Sequence, residues 1–405
     1  MNNALIWGRT GPLSINYLPQ WESGIRELFD NLCNGITDQL DVNGITDYRL
    51  VFTELSDHTI AENIHKFSEK NIVIYHSDHL HHSDLLRYVK YENNNYSFPF
   101  LISDTILNLI NAANNNPNKN ILFYSVVDYL DRETTQCNIP SNLIIKCTKS
   151  GNLLRSSIHF KDCIIEPNKD FNSDKTFICL NNVNRPHRPA VVSYLLGKGL
   201  DPYGYITLRS YENTSIDCFL DWCFDTVHDP IKNILLSGFS KISKDTLTEI
   251  AFNPTLNKNY NALSKTYQKT FIEIITDTTY FEPSAFTNDK YVNNILGANF
   301  PIFISTLGTV NHLRQQGFDM FDDIVDHSYD NIVDPALRLS QAIELNLSLL
   351  KDTEVVKKLW KENKSRFINN YNFFKNDFKT LVTDIINQAW AEGAAELKLK
   401  CSNTV

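Results

Sequence analysis

No run in this sequence approaches the roughly 18–20 consecutive apolar residues that a bilayer-crossing helix needs, so no membrane span is expected. The opening stretch MNNALIWGRTG has neither a basic leader nor a long apolar core, so no secretory signal is expected either. The eight cysteines (Cys33, Cys137, Cys147, Cys163, Cys179, Cys218, Cys223 and Cys401) are scattered, and no two form a CxxC pair. That argues against a zinc ribbon or a disulfide scaffold and for a reduced, cytoplasmic protein. Cys179 lies inside the apolar run ICL, where a thiol packs as a small hydrophobe. Positive charge is also short: Lys and Arg number 38 against 47 Asp and Glu, a formal net charge of −9. This excludes a uniformly basic nucleic-acid-binding surface, though not a local basic groove. No GxGxxG or GxxxxGKS/T phosphate loop, no HExxH motif and no internal repeat is present.

What is present points to an α/β protein. A chain of 405 residues is too long for one ordinary core and predicts two domains with a helical region appended. In the first part, ALIW (4–7), YRLVFTEL (48–55), NIVIYHS (71–77), NILFYSVV (120–127) and NLIIKCT (142–148) read as strands. Helical patterns lie between them, at Ser23 to Leu32 and Ile102 to Ala112. The arrangement restarts with KTFICLNN (175–182), a helix from Pro189 to Gly199, and the strand candidates YITLRS (205–210), IEIITDT (272–278) and PIFIST (301–306). Strands alternating with helices predict parallel sheets. The polar, turn-rich PNKDFNSDK near 165–175 reads as a domain boundary. The stretch 212–262 has no clear pattern, everything after Asp334 reads as helix, and the tail KLKCSNTV reads as frayed. Two doubly wound units would leave a cleft where strand ends and helix starts face a ligand.

Two segments carry candidate chemistry for such a cleft. In NNVNRPHRP, Arg185, His187 and Arg188 stand between a strand and a helix whose first turn Pro189 can occupy. Unpaired N–H groups at a helix start favour phosphate, and forked guanidinium donors suit its oxygens. The same cluster could equally be a solvated helix start paired with nearby carboxylates. The second segment is ITDTTYFEPSAFTNDK, where a strand ends at Thr276–Asp277 and Asp289 and Lys290 open a short helix before a further strand. A carboxylate there can hold a ribose hydroxyl, and an ammonium can meet phosphate.

The order R-x-H-R after a strand, an acidic-Lys helix start and a G-x-x-x-P-I strand resembles GT-B glycosyltransferases of the fucosyltransferase-like and exostosin-like group, which includes members encoded by tailed phages. The stretch STLGTVNHLRQQGFDMFDDIVDHSYDNIVDPALRL (305–339) is similar to that group's continuation, with Gly317, Phe318, Phe321, Asp326, Ser328, Tyr329, Asp330 and Arg338 at matching places. The resemblance covers roughly 175–350. It departs from the group at Asp289, where glutamate is usual, and at His327, which replaces an acidic residue. It implies a GT-B-like fold of two Rossmann-like domains facing a cleft: an acceptor-side domain over 1–168, a nucleotide-sugar domain over 169–350 and C-terminal helices over 351–405. It also implies that Asn184, Arg185, His187, Arg188, Asp277, Thr287, Asp289 and Lys290 bind a nucleotide-diphosphate sugar, with no metal and no further cofactor. In a phage setting the enzyme would work in the host cytoplasm. The SYD stretch would either touch ligand or fix the final helices.

The acceptor would be a hydroxyl, with a glycan, a protein or a hydroxylated base in phage DNA as candidates. Asp78, Asp128 and Glu54, at or near strand ends of the first domain, are candidate bases, as is a histidine of YHSDHLHHSD (75–84). That stretch, with His76, Asp78, His79, His81 and His82, also supports a rival reading as a metal-dependent hydrolase. A third reading is a non-catalytic two-domain protein that binds nucleotide only.

Overall fold

The computed structural model describes residues 4–8, 11–13, 34–53, 63–76, 104–125, 138–147, 169–182, 185–209, 211–223, 227–248, 265–281 and 289–402. The chain divides into two compact units. One comprises Met1–His159 with Phe378–Val405, and the other Phe160–Asp377.

The first unit is built on a six-stranded sheet: β1 (Ala4–Gly8), β2 (Gly11–Leu13), β3 (Tyr48–Thr53), β4 (Asn71–His76), β5 (Asn120–Ser125) and β6 (Leu143–Cys147). Its order is β2-β1-β3-β4-β5-β6. Every described neighbour pair is parallel except β1 with β2. The runs NIVIY and NILFYS are rich in branched and aromatic residues, and β5 is buried throughout, as expected of a parallel strand covered on both faces. The sequence pattern had not marked β2, a three-residue edge strand in which Pro12 is tolerated because one side of an edge needs no N–H donor.

Helices α1 (Asp104–Asn115) and α11 (Phe378–Ser402) belong to this unit. Tyr124 Oη on β5 donates to the Trp390 carbonyl at 2.9 Å, and Lys146 on β6 pairs with Glu396 at 3.0 Å, so α11 lies against β5 and β6. The expected fraying from Lys398 onward is corrected: the helix runs through Ser402. Nothing in KLKCS breaks a helix, and Lys400 anchors it by donating to the Ser141 carbonyl.

The second unit holds a four-stranded parallel sheet of β7 (Phe177–Cys179), β8 (Gly204–Ile206), β9 (Ile272–Thr276) and β10 (Phe300–Ile304), in the order β10-β9-β7-β8. Its helices are α2 (His187–Gly197), α3 (Asp217–Trp222), α4 (Asp229–Phe239), α5 (Asp289–Gly297), α6 (Thr309–Gln315), α7 (Pro335–Glu344), α8 (Leu347–Lys351), α9 (Thr353–Glu362) and α10 (Lys364–Asn372). The patternless stretch after residue 212 thus contains α3 and α4. The two sheets make this a mixed α/β chain compatible with two Rossmann-like units. No helix among the described residues is long and apolar enough to cross a membrane.

Strand order decides where a ligand fits this unit. From β7 the chain goes to β8 on one side, whereas β9 lies on the other side and leads outward to β10. Adjacent β7 and β9 therefore send their connections in opposite directions, which opens a crevice beyond their carboxyl ends.

The SYD stretch serves the fold. Buried Tyr329 Oη accepts the N–H of Phe303 on β10 at 2.8 Å. Asp330 Oδ2 accepts the N–H of Asn311 at 3.0 Å, placing a carboxylate at the start of α6. Removing the hydroxyl in Tyr329→Phe orphans a buried backbone donor. It is expected to destabilise the protein by about 1–3 kcal/mol and to speed hydrogen exchange at the Phe303 amide. Urea unfolding with amide exchange checks both, and unchanged protection at Phe303 would remove the anchoring role.

Candidate functional site

The crevice between β7 and β9 is where the two sequence segments meet. Helix α2 begins at His187 with Pro186 ahead of it, and no side chain caps its first turn. It ends in a tight reversal: Gly199, at φ +66°, allows the Leu200 N–H to reach the Leu195 carbonyl at 3.0 Å. Ten of the helix's eleven residues are buried, so it runs through the unit rather than along its surface. Its cationic start is buried too, with His187 2% and Arg188 3% exposed.

These side chains converge on the end of β9. Arg188 Nη2 donates to the Asp277 carbonyl at 3.1 Å and the Thr276 carbonyl at 3.4 Å. Lys290, second residue of α5, donates to the Thr276 carbonyl at 2.6 Å. His187 Nε2 lies 2.9 Å from the Asp277 carbonyl, which only accepts, so this nitrogen carries the proton. Burial and then the Arg188 charge hold the His187 pKa well below its ordinary value, so the ring is neutral. In that tautomer Nδ1 offers a lone pair and can only accept. The imidazole stacks on Tyr280 at 5.1 Å, and the buried Arg338 guanidinium lies 4.7 Å from the Tyr280 ring. Arg338 also donates to the Ile332 and Tyr280 carbonyls at 2.8 Å, which fixes the backbone beyond β9.

Asp277 supplies the carboxyl group of the cluster. It accepts from the Thr278 N–H at 2.6 Å and the Ser305 hydroxyl at 3.0 Å. Burial raises its pKa, and Lys290 and Arg188 oppose that rise. Asn181 ties the strand ends together, accepting from Thr276 Oγ1 at 2.7 Å and donating to the Thr207 carbonyl at 3.0 Å. Cys179 beneath is inert as a nucleophile, its thiol pushed up to about 12 by burial.

Four sequence-predicted residues, His187, Arg188, Asp277 and Lys290, are thus brought together. Arg185 is exposed just ahead of them, and Asp289 heads α5 one position before Lys290. Asn184, Thr287, Asp78, Asp128, Glu54 and the histidines His79, His81 and His82 lie outside the described residues. His76 ends β4 in register with Thr53 and Ser125, the last residues of β3 and β5. Among the described residues no three His, Cys, Asp or Glu side chains gather as a metal site would require.

Sequence reasoning missed Arg209. Its N–H bonds the Asn181 carbonyl at 3.0 Å and its Nη1 the Asn182 amide oxygen at 3.1 Å, which sets an exposed cation at the same carboxyl edge. Reading 205–210 as strand hid it, because β8 stops at Ile206. Comparison with models of known families finds no match to the chain, and comparison with curated proteins finds no similar sequence.

Chemically, Arg188 and Lys290 act on the buried Asp277 carboxyl beside an uncapped helix start, and the exposed Arg185 and Arg209 stand at the same carboxyl edge of the sheet. In a protein of net charge −9 this is a local inversion of sign, suited to an anion with several oxygens.

Proposed function

We propose that this protein is a glycosyltransferase of GT-B type that binds a nucleotide-diphosphate sugar at the carboxyl edge of its second sheet. The observation that carries the reading is the convergence of Arg188 and Lys290 on the Thr276 and Asp277 carbonyls, at the point where strand order reverses. Departure of a nucleoside diphosphate concentrates negative charge on the leaving oxygens. Preplaced guanidinium and ammonium groups, with the α2 N–H dipoles, stabilise that charge without needing to reorient as it develops. The resemblance over roughly 175–350 supports the same assignment, with Asp78 and Asp128 as the candidate acceptor bases.

The reading is tested by a thermal-shift screen of nucleoside-diphosphate sugars, followed by donor turnover. A true donor at 100 times its Kd adds about 2.7 kcal/mol to apparent stability. Arg185→Ala is the cleanest variant, because the side chain is exposed. It is expected to weaken donor binding about tenfold with no change in the melting temperature of the free protein. Lys290→Ala is expected to weaken it by about tenfold or more. Donor affinity unchanged in both variants would sink the assignment. Tight binding without turnover on any hydroxyl acceptor would leave a nucleotide-binding protein instead.

A further inference from the structure

We infer that Glu273, buried beneath the cationic edge, sets the anion affinity of that edge by taking up and releasing a proton, so that the site holds anions more tightly when Glu273 is protonated. The inference rests on the reading of the edge as an anion site. It adds the regulation of that site by pH.

The geometry begins with β9. Strand alternation places Glu273, Ile275 and Asp277 on one face, and the Asp277 N–H continues the ladder by bonding the Ile304 carbonyl at 3.0 Å. Helix α5 lies against this face with an unusually polar stripe, Lys290, Asn294 and Gly297, at the i, i+4, i+7 spacing of one helix side. Lys290 bonds the end of β9, Asn294 approaches the Glu273 carboxyl, and the Gly297 carbonyl accepts from Lys169 at 2.7 Å. Lys290 acts electrostatically on both Glu273 and Asp277. One ammonium therefore serves the anion edge and the buried carboxyl together.

Glu273 is 3% exposed. Its Oε1 accepts from Tyr267 Oη at 2.8 Å, while Oε2 and Asn294 Nδ2 both lack a hydrogen bond of ordinary geometry. The charged or titratable groups around it are Lys169 from the segment entering the unit, Tyr267 from the turn before β9, Lys290 from α5 and Cys179 from β7. Burial pushes its pKa up to about 7, against the Tyr267 hydrogen bond, the nearby Asn294 amide and the two lysine charges. The carboxyl therefore changes charge in the neutral range. When ionised it offsets the Lys290 field and repels an arriving anion. When protonated it leaves that field unopposed. By linkage, an anion bound at the edge must raise the proton affinity of Glu273 by the same factor.

The test uses the whole chain and two probes, inorganic pyrophosphate and sulfate, the latter of constant charge over the range. Calorimetric titrations from about pH 6 to about pH 8.5 compare the wild type with Glu273→Gln. Wild-type sulfate affinity is expected to fall by about fivefold as pH rises, whereas the glutamine variant keeps the low-pH affinity throughout. A second measurement needs no variant: wild-type sulfate binding near neutral pH, in buffers of different ionisation enthalpy, should show net proton uptake. Equal pH slopes in the two proteins, or no proton uptake, would overturn the role of Glu273 while leaving the anion site intact. If neither probe binds the wild type at any pH, the anion-site reading itself fails and this inference falls with it.

Discussion

Replacing Lys169 with methionine is expected to destabilise the second unit by about 3–5 kcal/mol, a large part of the 5–15 kcal/mol that holds a typical domain folded. Lys169 is 6% exposed. Its Nζ donates to the carbonyls of Tyr267 at 2.8 Å, Thr270 at 2.6 Å and Gly297 at 2.7 Å, and to Asn299 Oδ1. These oxygens come from the turn before β9 and from the end of α5, so one ammonium ties both to the entering chain. Burial lowers the Lys169 pKa well below the usual lysine range, opposed by the Glu273 carboxylate. Methionine preserves the apolar stem beside Phe271 and Trp360, whose rings lie 5.8 and 6.0 Å from Nζ. It supplies no donor, so the Thr270, Gly297 and Asn299 oxygens lose the ammonium, and the Tyr267 carbonyl keeps the Thr270 N–H at 3.2 Å. Urea unfolding measures the loss, and a change below about 1 kcal/mol would show that water replaces the ammonium. Because Lys169 holds the far end of the helix that begins at Asp289–Lys290, weakened anion binding should accompany the destabilisation.

Gly238→Val should be comparably damaging, by about 3 kcal/mol or more. Helices α2 and α4 cross in close contact at Gly238. A Cβ there would stand 1.7 Å from the Ser193 carbonyl oxygen, 2.6 Å from its carbon and 2.7 Å from the Gly197 nitrogen. All three are backbone atoms of α2, so no side-chain rotation relieves the overlap. The helices must separate, and the dense packing of Leu195 and Leu235 around them opens with them. Helix α2 carries His187 and Arg188 at its start, so the variant should lose thermal stability and anion binding together. A melting temperature within a degree or so of wild type would disprove the close packing.

Much of the fold was legible because strand formation is written locally. IEIITDT announced β9 and NILFYS announced β5 through their branched and aromatic runs, and Gly199 stopped α2 as a glycine past a helix end does. Short strands were read too long. KTFICLNN yields only Phe177–Cys179 in β7, since Asn181 turns its side chain to the neighbouring strand ends. The cations of the candidate site were also legible, as they stand where strands meet helices. Their burial was not: Arg188 reads as a solvated charge until the Thr276 and Asp277 carbonyls are placed before it. Lys169, within the polar stretch PNKDFNSDK, likewise reads as solvated until its buried carbonyl partners are placed around it.

The sequence alone therefore determined the alternation of strands and helices, the chain's acidic balance, and the positions of Arg188 and Lys290 at βα junctions. All of these depend on residues close together in the chain. Only the tertiary structure decided that β7 and β9 are neighbours, that the two junctions share the Thr276 carbonyl, and that Lys169 and Glu273 lie inside. Strand order and burial are set by contacts between segments distant in sequence, and charge acquires its meaning from the solvent and partners those contacts leave it.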